Sequence, residues 1–149
     1  MTLLLCIPLS IQAALMVVDE IHFHRQRGLP RWERIGHPID TLSVLICYGV
    51  ALTRPPSNTA LTVYAVLAML SCVLVTKDEF VHSRCCLPAE QWIHSLLFVL
   101  HPIVLGAAAL LWLRHGTALL AVQSALTLAF GCYQLLYWNL PWTRHPRAQ

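Results

Sequence analysis

Long apolar stretches recur along the whole chain, with short polar segments between them. Five can be delimited: Thr2 to Val18, Ile39 to Thr53, Thr59 to Thr76, Ile93 to Leu113 and Thr117 to Trp138. Lipid offers backbone N–H and C=O groups no hydrogen-bond partner, so each stretch is predicted to be a helix. The second is short for a bilayer unless its helix begins earlier, near Pro30. The pattern predicts an all-α integral membrane protein, with residues 1–149 forming one transmembrane domain of five helices.

The composition supports this class. The chain is 57% hydrophobic and 11% charged, whereas an average soluble domain carries about 25% charged residues. Its mean hydropathy is +0.61. A soluble fold of this size could not bury so much apolar surface, and nucleic-acid modules, secreted disulfide scaffolds and disordered tails are excluded. The expected partner is therefore the lipid bilayer and not a nucleic acid.

The basic residues indicate an orientation. Five spans place Arg54 and Arg114 on one side, together with the N-terminus. The other side receives residues 19–38, residues 77–92 and the polar tail 139–149. Its eight basic residues are Arg25, Arg27, Arg31, Arg34, Lys77, Arg84, Arg144 and Arg147. The positive-inside rule makes this second side cytoplasmic, in a multi-pass protein of the cell membrane. The first stretch has no basic leader or small-residue cleavage site, so we interpret it as a span and not a removed signal peptide.

The two long cytoplasmic connections follow one template. Each has Asp-Glu at the end of a span, then a His, a Leu-Pro, a Glu, and a His four residues after that Glu. In the first connection these are Asp19, Glu20, His22 or His24, Leu29, Pro30, Glu33 and His37. In the second they are Asp78, Glu79, His82, Leu87, Pro88, Glu90 and His94. The spacing predicts a parallel internal repeat of two helix pairs, about 1–53 and 59–113, with an unrepeated fifth span at about 117–138.

Residues three or four apart share a helix face, so each connection can direct its acids and imidazoles to one point. The predicted metal ligands are Glu20, His24, Glu33, His37, Asp78, Glu79, His82, Glu90 and His94. Reserves or hydrogen-bond partners of these ligands are Asp19, His22, Asp40, His101, Tyr137 and Asn139. His22 and His24 point in different directions on an α-helix, so pairing Asp19 with His22 and pairing Glu20 with His24 are alternatives that the sequence leaves open.

Carboxylate and imidazole ligands without thiolate suit iron or manganese, and also zinc. Carboxylate-bridged bundles bind two ions by similar pairs on facing helices. We therefore expect a divalent metal centre, Fe or Mn before Zn, with one ion or two. The function this predicts is a membrane metalloenzyme, an oxidoreductase or a hydrolase, acting on a lipid, quinone or other amphipathic substrate. Gathered carboxylates would repel one another without a cation.

Other interpretations stay open at this point. The protein could be a metal-ion transporter or metal-responsive protein, although the span centres offer few polar residues for an ion path. It could also be a structural subunit without metal, whose acids pair with nearby arginines. Haem ligation or a proton relay would be another use of the histidines. Trp92, Trp138 and Trp142 are predicted to form an interfacial aromatic belt. Cys85 and Cys86 are placed outside the core site.

Overall fold

The computed structural model describes residues 2–80, 82 and 86–140. This part of the chain is helical and contains no strand. Five helices are long and apolar enough to cross a membrane: α1 (Leu3–Arg27), α2 (Arg31–Thr53), α3 (Asn58–Asp78), α4 (Pro88–Leu113) and α5 (Thr117–Asn139). The predicted set of five helices is confirmed. The second begins near Pro30 and has 23 residues, enough for a bilayer about 30 Å thick.

Local chemistry explains where the helices begin and end. Gly28 has φ 77° and stops α1, a backbone conformation that glycine adopts without strain. Pro30 directly precedes α2, and Pro88 is the first residue of α4, where a missing N–H leaves no partner unsatisfied. The Ser57 hydroxyl caps α3 by accepting from the Ala60 amide at 3.2 Å. Short connections therefore alternate the helix directions.

One end of the bundle is closed by apolar packing. We call it the apolar end; it contains the turns between α2 and α3 and between α4 and α5. Its core includes Tyr64 and Trp112, whose rings lie 5.8 Å apart. The Tyr64 hydroxyl donates to the Leu105 carbonyl at 2.7 Å, and the Trp112 indole donates to the Arg54 carbonyl at 2.9 Å. Buried polar groups at these aromatic residues are thus satisfied.

Helix α2 forms its most extensive interface with α5. At Gly131 a Cβ would lie 2.8 Å from Thr41 Cγ2, so glycine permits this close approach. The Thr41 hydroxyl donates to Gln134 Oε1 at 2.8 Å across the same contact. Helix α1 packs mainly along α4 instead. The fifth helix is therefore attached through α2, while α1 is attached through α4.

The opposite end, which we call the polar end, contains the ends of α1, α3 and α5 and the beginnings of α2 and α4. Within α1, residues Cys6–Val18 are α-helical and Asp19–His24 form a π-helix. Short π-helical turns occur mostly inside α-helices and often at functional sites. This one coincides with the first Asp-Glu of the predicted template.

Candidate metal centre

Acidic and imidazole side chains from four helices and from His82 converge at the polar end. We call this group the polar cluster. It consists of Asp19, Glu20, His24, Glu33, His37, Asp78, His82, Glu90 and His94. All are buried except His37, whose side chain is 12% exposed. Burying charged groups costs several kcal/mol per ion unless each is paired, so such a gathering is unusual for a structural core.

The π-helical turn decides which histidine of the first connection joins the cluster. A π-helical turn is wider than an α-helical one, so Asp19 and Glu20, five and four positions before His24, both lie on its face of the helix. His24 Nε2 lies 3.2 Å from Asp19 Oδ2, and its Nδ1 lies 3.3 Å from Glu20 Oε2. His22 is exposed on the outside of α1. Of the two pairings left open by the sequence, the structure contains Glu20 with His24.

Glu20 is held by the fifth helix. The Tyr133 hydroxyl donates to Glu20 Oε1 at 2.6 Å, and the Trp138 indole donates to the same oxygen at 3.0 Å. With one oxygen occupied in this way and the other facing His24 Nδ1, Glu20 is placed to orient the imidazole. A carboxylate on one ring nitrogen leaves the other nitrogen for a metal ion. Asp19, expected only as a reserve, belongs to a group of side chains that could hold a metal ion.

Contacts between the two predicted copies occur in matching pairs. Asp19 Oδ2 lies 2.9 Å from His94 Nε2, and Asp78 Oδ2 lies 3.8 Å from His37 Nε2.

A second pair relates the glutamates to the other histidines. Glu90 Oε1 lies 3.8 Å from His24 Nε2, and Glu33 Oε1 lies 3.4 Å from His82 Nε2. Exchanging the copies interconverts the two members of each pair. The two connections are therefore interleaved, because each supplies acids to the histidines of the other.

Two cationic side chains neutralise part of this acidity. Arg27 Nη2 donates to Glu33 Oε2 and to Glu90 Oε1, both at 2.8 Å. Lys77 Nζ lies 2.6 Å from both oxygens of Asp40 and 3.3 Å from Asp78 Oδ1. Arg27 thus links one glutamate from each of the two connections, and the ion-paired interpretation predicts such a contact for at least one arginine.

Three overlapping groups bring ligand atoms within 4.8 Å of one another. They are Asp19, His24, Glu90 and His94; His24, Glu33 and His37; and Glu33, His82 and Cys86. Two ligands bound to one ion at about 2.1 Å lie at most about 4.2 Å apart. Ligand atoms at the outer limit of 4.8 Å would therefore have to move closer together to share an ion.

Several buried atoms of the polar cluster make no hydrogen bond. They are Asp19 Oδ1, His24 Nε2, Glu33 Oε1, Asp78 Oδ1 and His82 Nε2. Some lie near an oppositely charged group, as His24 Nε2 does near Asp19 Oδ2 at 3.2 Å, but without hydrogen-bond geometry. An unsatisfied buried polar atom costs about 1–3 kcal/mol. The arrangement leaves donor atoms available to a cation.

Other predicted residues lie outside these ligand groups. Glu79 is exposed and accepts from Gln91 at 3.4 Å, because one position along the helix turns it away from Asp78. Asp40 is occupied by Lys77. His101 is buried deeper and lies 2.9 Å from the Ser71 hydroxyl. Glu79, Asp40 and His101 therefore lie outside the three groups of candidate ligands.

Tyr137 and Asn139 also have other contacts. The Tyr137 ring packs under the Arg25 guanidinium, 5.1 Å from the ring centroid. Asn139 donates to the Arg34 carbonyl at 3.3 Å. That carbonyl lacks its usual helical donor because Pro38, four residues on, has no N–H. Asn139 therefore replaces the missing helical donor of α2 and does not contact a candidate metal ligand.

Three side chains at the polar cluster were not predicted to lie there. Trp138 was expected in an interfacial belt, but it is 2% exposed and bound to Glu20, whereas Trp92, at 70%, remains exposed. Cys86 was placed outside the site, yet its sulfur lies near Glu33 and His82. Tyr133 was not singled out over Tyr137. Tyr133 and Tyr137 are one helical turn apart on α5, and nothing in the sequence indicates which of them contacts Glu20. Arg84, Cys85, Trp142, Arg144 and Arg147 lie outside the described residues.

A cavity of about 350 Å³ extends from the polar cluster toward the bundle centre. Asp19, His24 and His94 line its polar end, and its walls are mostly apolar side chains such as Phe98 and Leu126. Comparisons with protein-family models, with curated proteins and with solved structures found no match for this chain.

Proposed function

We propose that this chain is an integral membrane metalloenzyme with a two-ion centre at the cytoplasmic boundary. The five apolar helices support membrane insertion, and the excess of basic residues at the polar end supports its cytoplasmic orientation. The matched contacts of the two connections support a duplicated helix pair as the origin of the centre.

The charge imbalance of the cluster carries the proposal. Arg27 and Lys77 are the cationic side chains that pair with its acids in the described chain. The carboxylates number six when Asp40 is included: Asp19, Glu20, Glu33, Asp40, Asp78 and Glu90. Four negative charges are left, which two divalent cations would balance with neutral histidines. Protonating the four histidines instead would place imidazolium rings as close as 3.8 Å between centroids, where like charges repel strongly.

The ligand groups suggest where each ion would bind. Asp19, His24, Glu90 and His94 form a four-ligand group of two oxygens and two nitrogens for the first ion. Glu33, His82 and Cys86 share no residue with that group and would bind the second. His37 lies beside both ligand groups. Its ring stacks on that of His24, with 5.0 Å between the centroids, and its centroid lies 6.4 Å from that of His82.

The donor chemistry favours Fe or Mn at the first ion, with Zn as the alternative. Such ions supply Lewis acidity and, in the case of iron, redox chemistry. If Glu90 bound an ion, Arg27 would lose its contact with Glu90 but would still neutralise Glu33. The mainly apolar cavity leading to the centre favours a lipid, a quinone or another amphipathic substrate.

Transport of the metal ion is the second candidate. A conduit needs polar groups through the whole membrane. Here the cavity ends against the packed core of the apolar end, where Leu111, Trp112 and Leu120 are buried. The one-sided placement of ligands therefore favours a resident metal over a transported one.

Metal analysis of the purified full chain tests the proposal. The protein is prepared in detergent without chelator, incubated with Fe(II), Mn(II) or Zn(II), and desalted before elemental analysis. We expect about two ions per chain, a count set by the residual charge. His24→Ala should remove the first ion, whereas His22→Ala, two residues away on the same helical turn, should leave the content unchanged.

Size-exclusion profile and helical circular dichroism of each variant establish that it is folded. His24→Gln provides a second variant of more similar volume. A folded wild-type protein that retains no ion at micromolar metal concentrations would contradict the proposal and favour an ion-paired cluster. Equal losses in the His22 and His24 variants would contradict the assignment of His24 as a ligand. Rapid, complete exchange with free metal would favour transport.

A further inference from the structure

The contacts of α1 and α5 indicate that the cavity is open on one side, between these two helices. Along its length α1 packs against α4 and α5 packs against α2, and the described chain has no extended backbone contact between α1 and α5. Both helices nevertheless line the cavity. Side chains bridge them at the polar end, where Tyr133 and Trp138 contact Glu20. Beyond this bridge the two helices leave a gap.

Exposure of the lining residues locates that gap. Val17 of α1 and Leu126 of α5 both line the cavity, yet they are 46% and 61% exposed. A side chain that contacts the interior space and the outside at once lies at the rim of an opening. Ala13, one helical turn from Val17, also lines the cavity and is exposed. The opening therefore lies within the apolar part of both helices and not at the polar surface.

The two ends of the cavity differ in chemistry. Asp19, His24 and His94 are at one end, whereas Glu33 and Glu90 are not part of its lining. A molecule in the cavity would thus meet three of the four ligands proposed for the first ion, but only His82 of the group proposed for the second. Toward the bundle centre the lining is mostly apolar, with the amide oxygen of Gln12 buried and lacking a hydrogen bond. Gln12 lies seven residues from Asp19, about 10 Å along a helix.

We propose that the gap between α1 and α5 is a lateral portal, through which a single-chain amphiphile enters from the bilayer. Its polar head faces Asp19, His24 and His94, and its apolar chain occupies the space beside Phe98, Leu126 and Phe130. The position of the head rests on the proposed function, whereas entry of the chain rests on the cavity alone. A volume of about 350 Å³ is near the lower limit of ligand cavities, about 300–1,000 Å³, and accommodates one flexible chain better than a two-chain lipid.

Photolabelling tests the portal in the full chain, reconstituted in bilayer nanodiscs. The probe is hexadecanol with a mid-chain diazirine, whose neutral head is not repelled by the acidic cluster in the absence of metal. Peptide mass spectrometry should locate the label on residues 12–17 and 123–130. Val17→Trp and Leu126→Trp should each lower this labelling about tenfold, as expected for about 1.4 kcal/mol of lost binding free energy.

The chain offers closely matched controls. Val18 is 46% exposed like Val17, and Leu128 is 54% exposed, but neither lines the cavity. Val18→Trp and Leu128→Trp should therefore leave the labelling within about twofold of wild type. Label spread evenly over the exposed apolar surface, or reduced equally in all four variants, would overturn the portal.

Two further experiments identify the type of apolar ligand and test the role of the metal. Unlabelled hexadecanol and decylubiquinone are compared as competitors, and the stronger one identifies an acyl-type or a quinone-type ligand. Failure of both to compete would overturn a specific chain site. Diazirine-labelled palmitate, with its anionic head, should label efficiently only after metal loading. Labelling by hexadecanol in a protein that binds no metal would support the portal and contradict the metal centre, so the two failures are distinguishable.

Discussion

The two ends of the bundle treat buried polar groups in opposite ways. At the apolar end, the Tyr64 hydroxyl and the Trp112 indole each donate to a carbonyl within 2.9 Å. At the polar end, acids and imidazoles are equally buried, but five of their nitrogen and oxygen atoms make no hydrogen bond. Native proteins retain such costly arrangements mainly at functional sites. We therefore interpret the apolar end as the part that stabilises the fold, and the polar end as the functional site.

The largest expected effect is a loss of stability at the apolar end. Trp112→Ala removes a buried aromatic side chain and its hydrogen bond to Arg54, and should lower the free energy of unfolding by about 3–5 kcal/mol. Denaturant titration in detergent measures this. Leu113→Ala, at a neighbouring residue that is 43% exposed, is the control. Unchanged stability in the Trp112 variant would break the comparison, because the apolar end would then not be the stabilising one.

The interface between α2 and α5 should give the next effect. Gly131→Ala places a methyl group against Thr41 and disturbs its hydrogen bond to Gln134, which should cost about 1–3 kcal/mol of overpacking. Gly106→Ala is matched to it, because a Cβ there meets nothing within 4 Å. Thermal unfolding of the two variants is compared. Equal midpoints would show that the close approach does not limit the packing of α5.

A smaller effect is expected where α5 contacts the polar cluster. Trp138→Phe removes the indole that donates to Glu20, and so weakens the orientation of His24. Loss of such a partner typically lowers metal affinity about 10- to 100-fold, and we expect about tenfold because Tyr133 remains. Competition with a fluorescent chelator measures the affinity. Trp92→Phe, at an exposed tryptophan, should have no effect; an equal change in both would refute a role for Trp138.

The smallest expected effect is at Asp19, where the sign of the change in the free energy of unfolding is informative. Asp19→Asn removes one excess negative charge, and in the metal-free protein it should raise the free energy of unfolding by about 1 kcal/mol. The same variant should bind metal less tightly. Glu79→Gln neutralises an exposed acid and should change neither quantity. Destabilisation of the metal-free protein by Asp19→Asn would show that this carboxylate is retained for structure.

The sequence predicted the five helices because a membrane-length apolar pattern leaves few alternatives. It also predicted most of the polar cluster, since Glu33 with His37 and Glu90 with His94 share faces of regular α-helices. It did not anticipate that Glu79 is exposed, or that Asp19 lies 2.9 Å from His94. Both depend on local helical phase, which a π-helical turn in one connection and a 3-10 turn in the other change by a fraction of a turn. Apolar periodicity does not encode such shifts.

Contacts between distant helices were the other part that the sequence could not supply. Trp138 and Tyr133 lie more than a hundred residues from Glu20, and nothing in their spacing pairs them with an acid. An aromatic residue near the end of a span is ordinarily explained by the interface alone. The same limit applies to Arg27, whose link between Glu33 and Glu90 depends on how two connections fold over each other.

The proline in α2 has a consequence for the order in which the protein is completed during synthesis. Pro38 leaves the Arg34 carbonyl without a helical donor, and the amide of Asn139, at the last position of α5, satisfies it at 3.3 Å. Glu20 likewise receives its two donors from α5. A nascent chain with only its first four helices in the membrane would therefore carry open acceptors at both places. The earliest helices acquire their final partners only when the last one arrives from the ribosome.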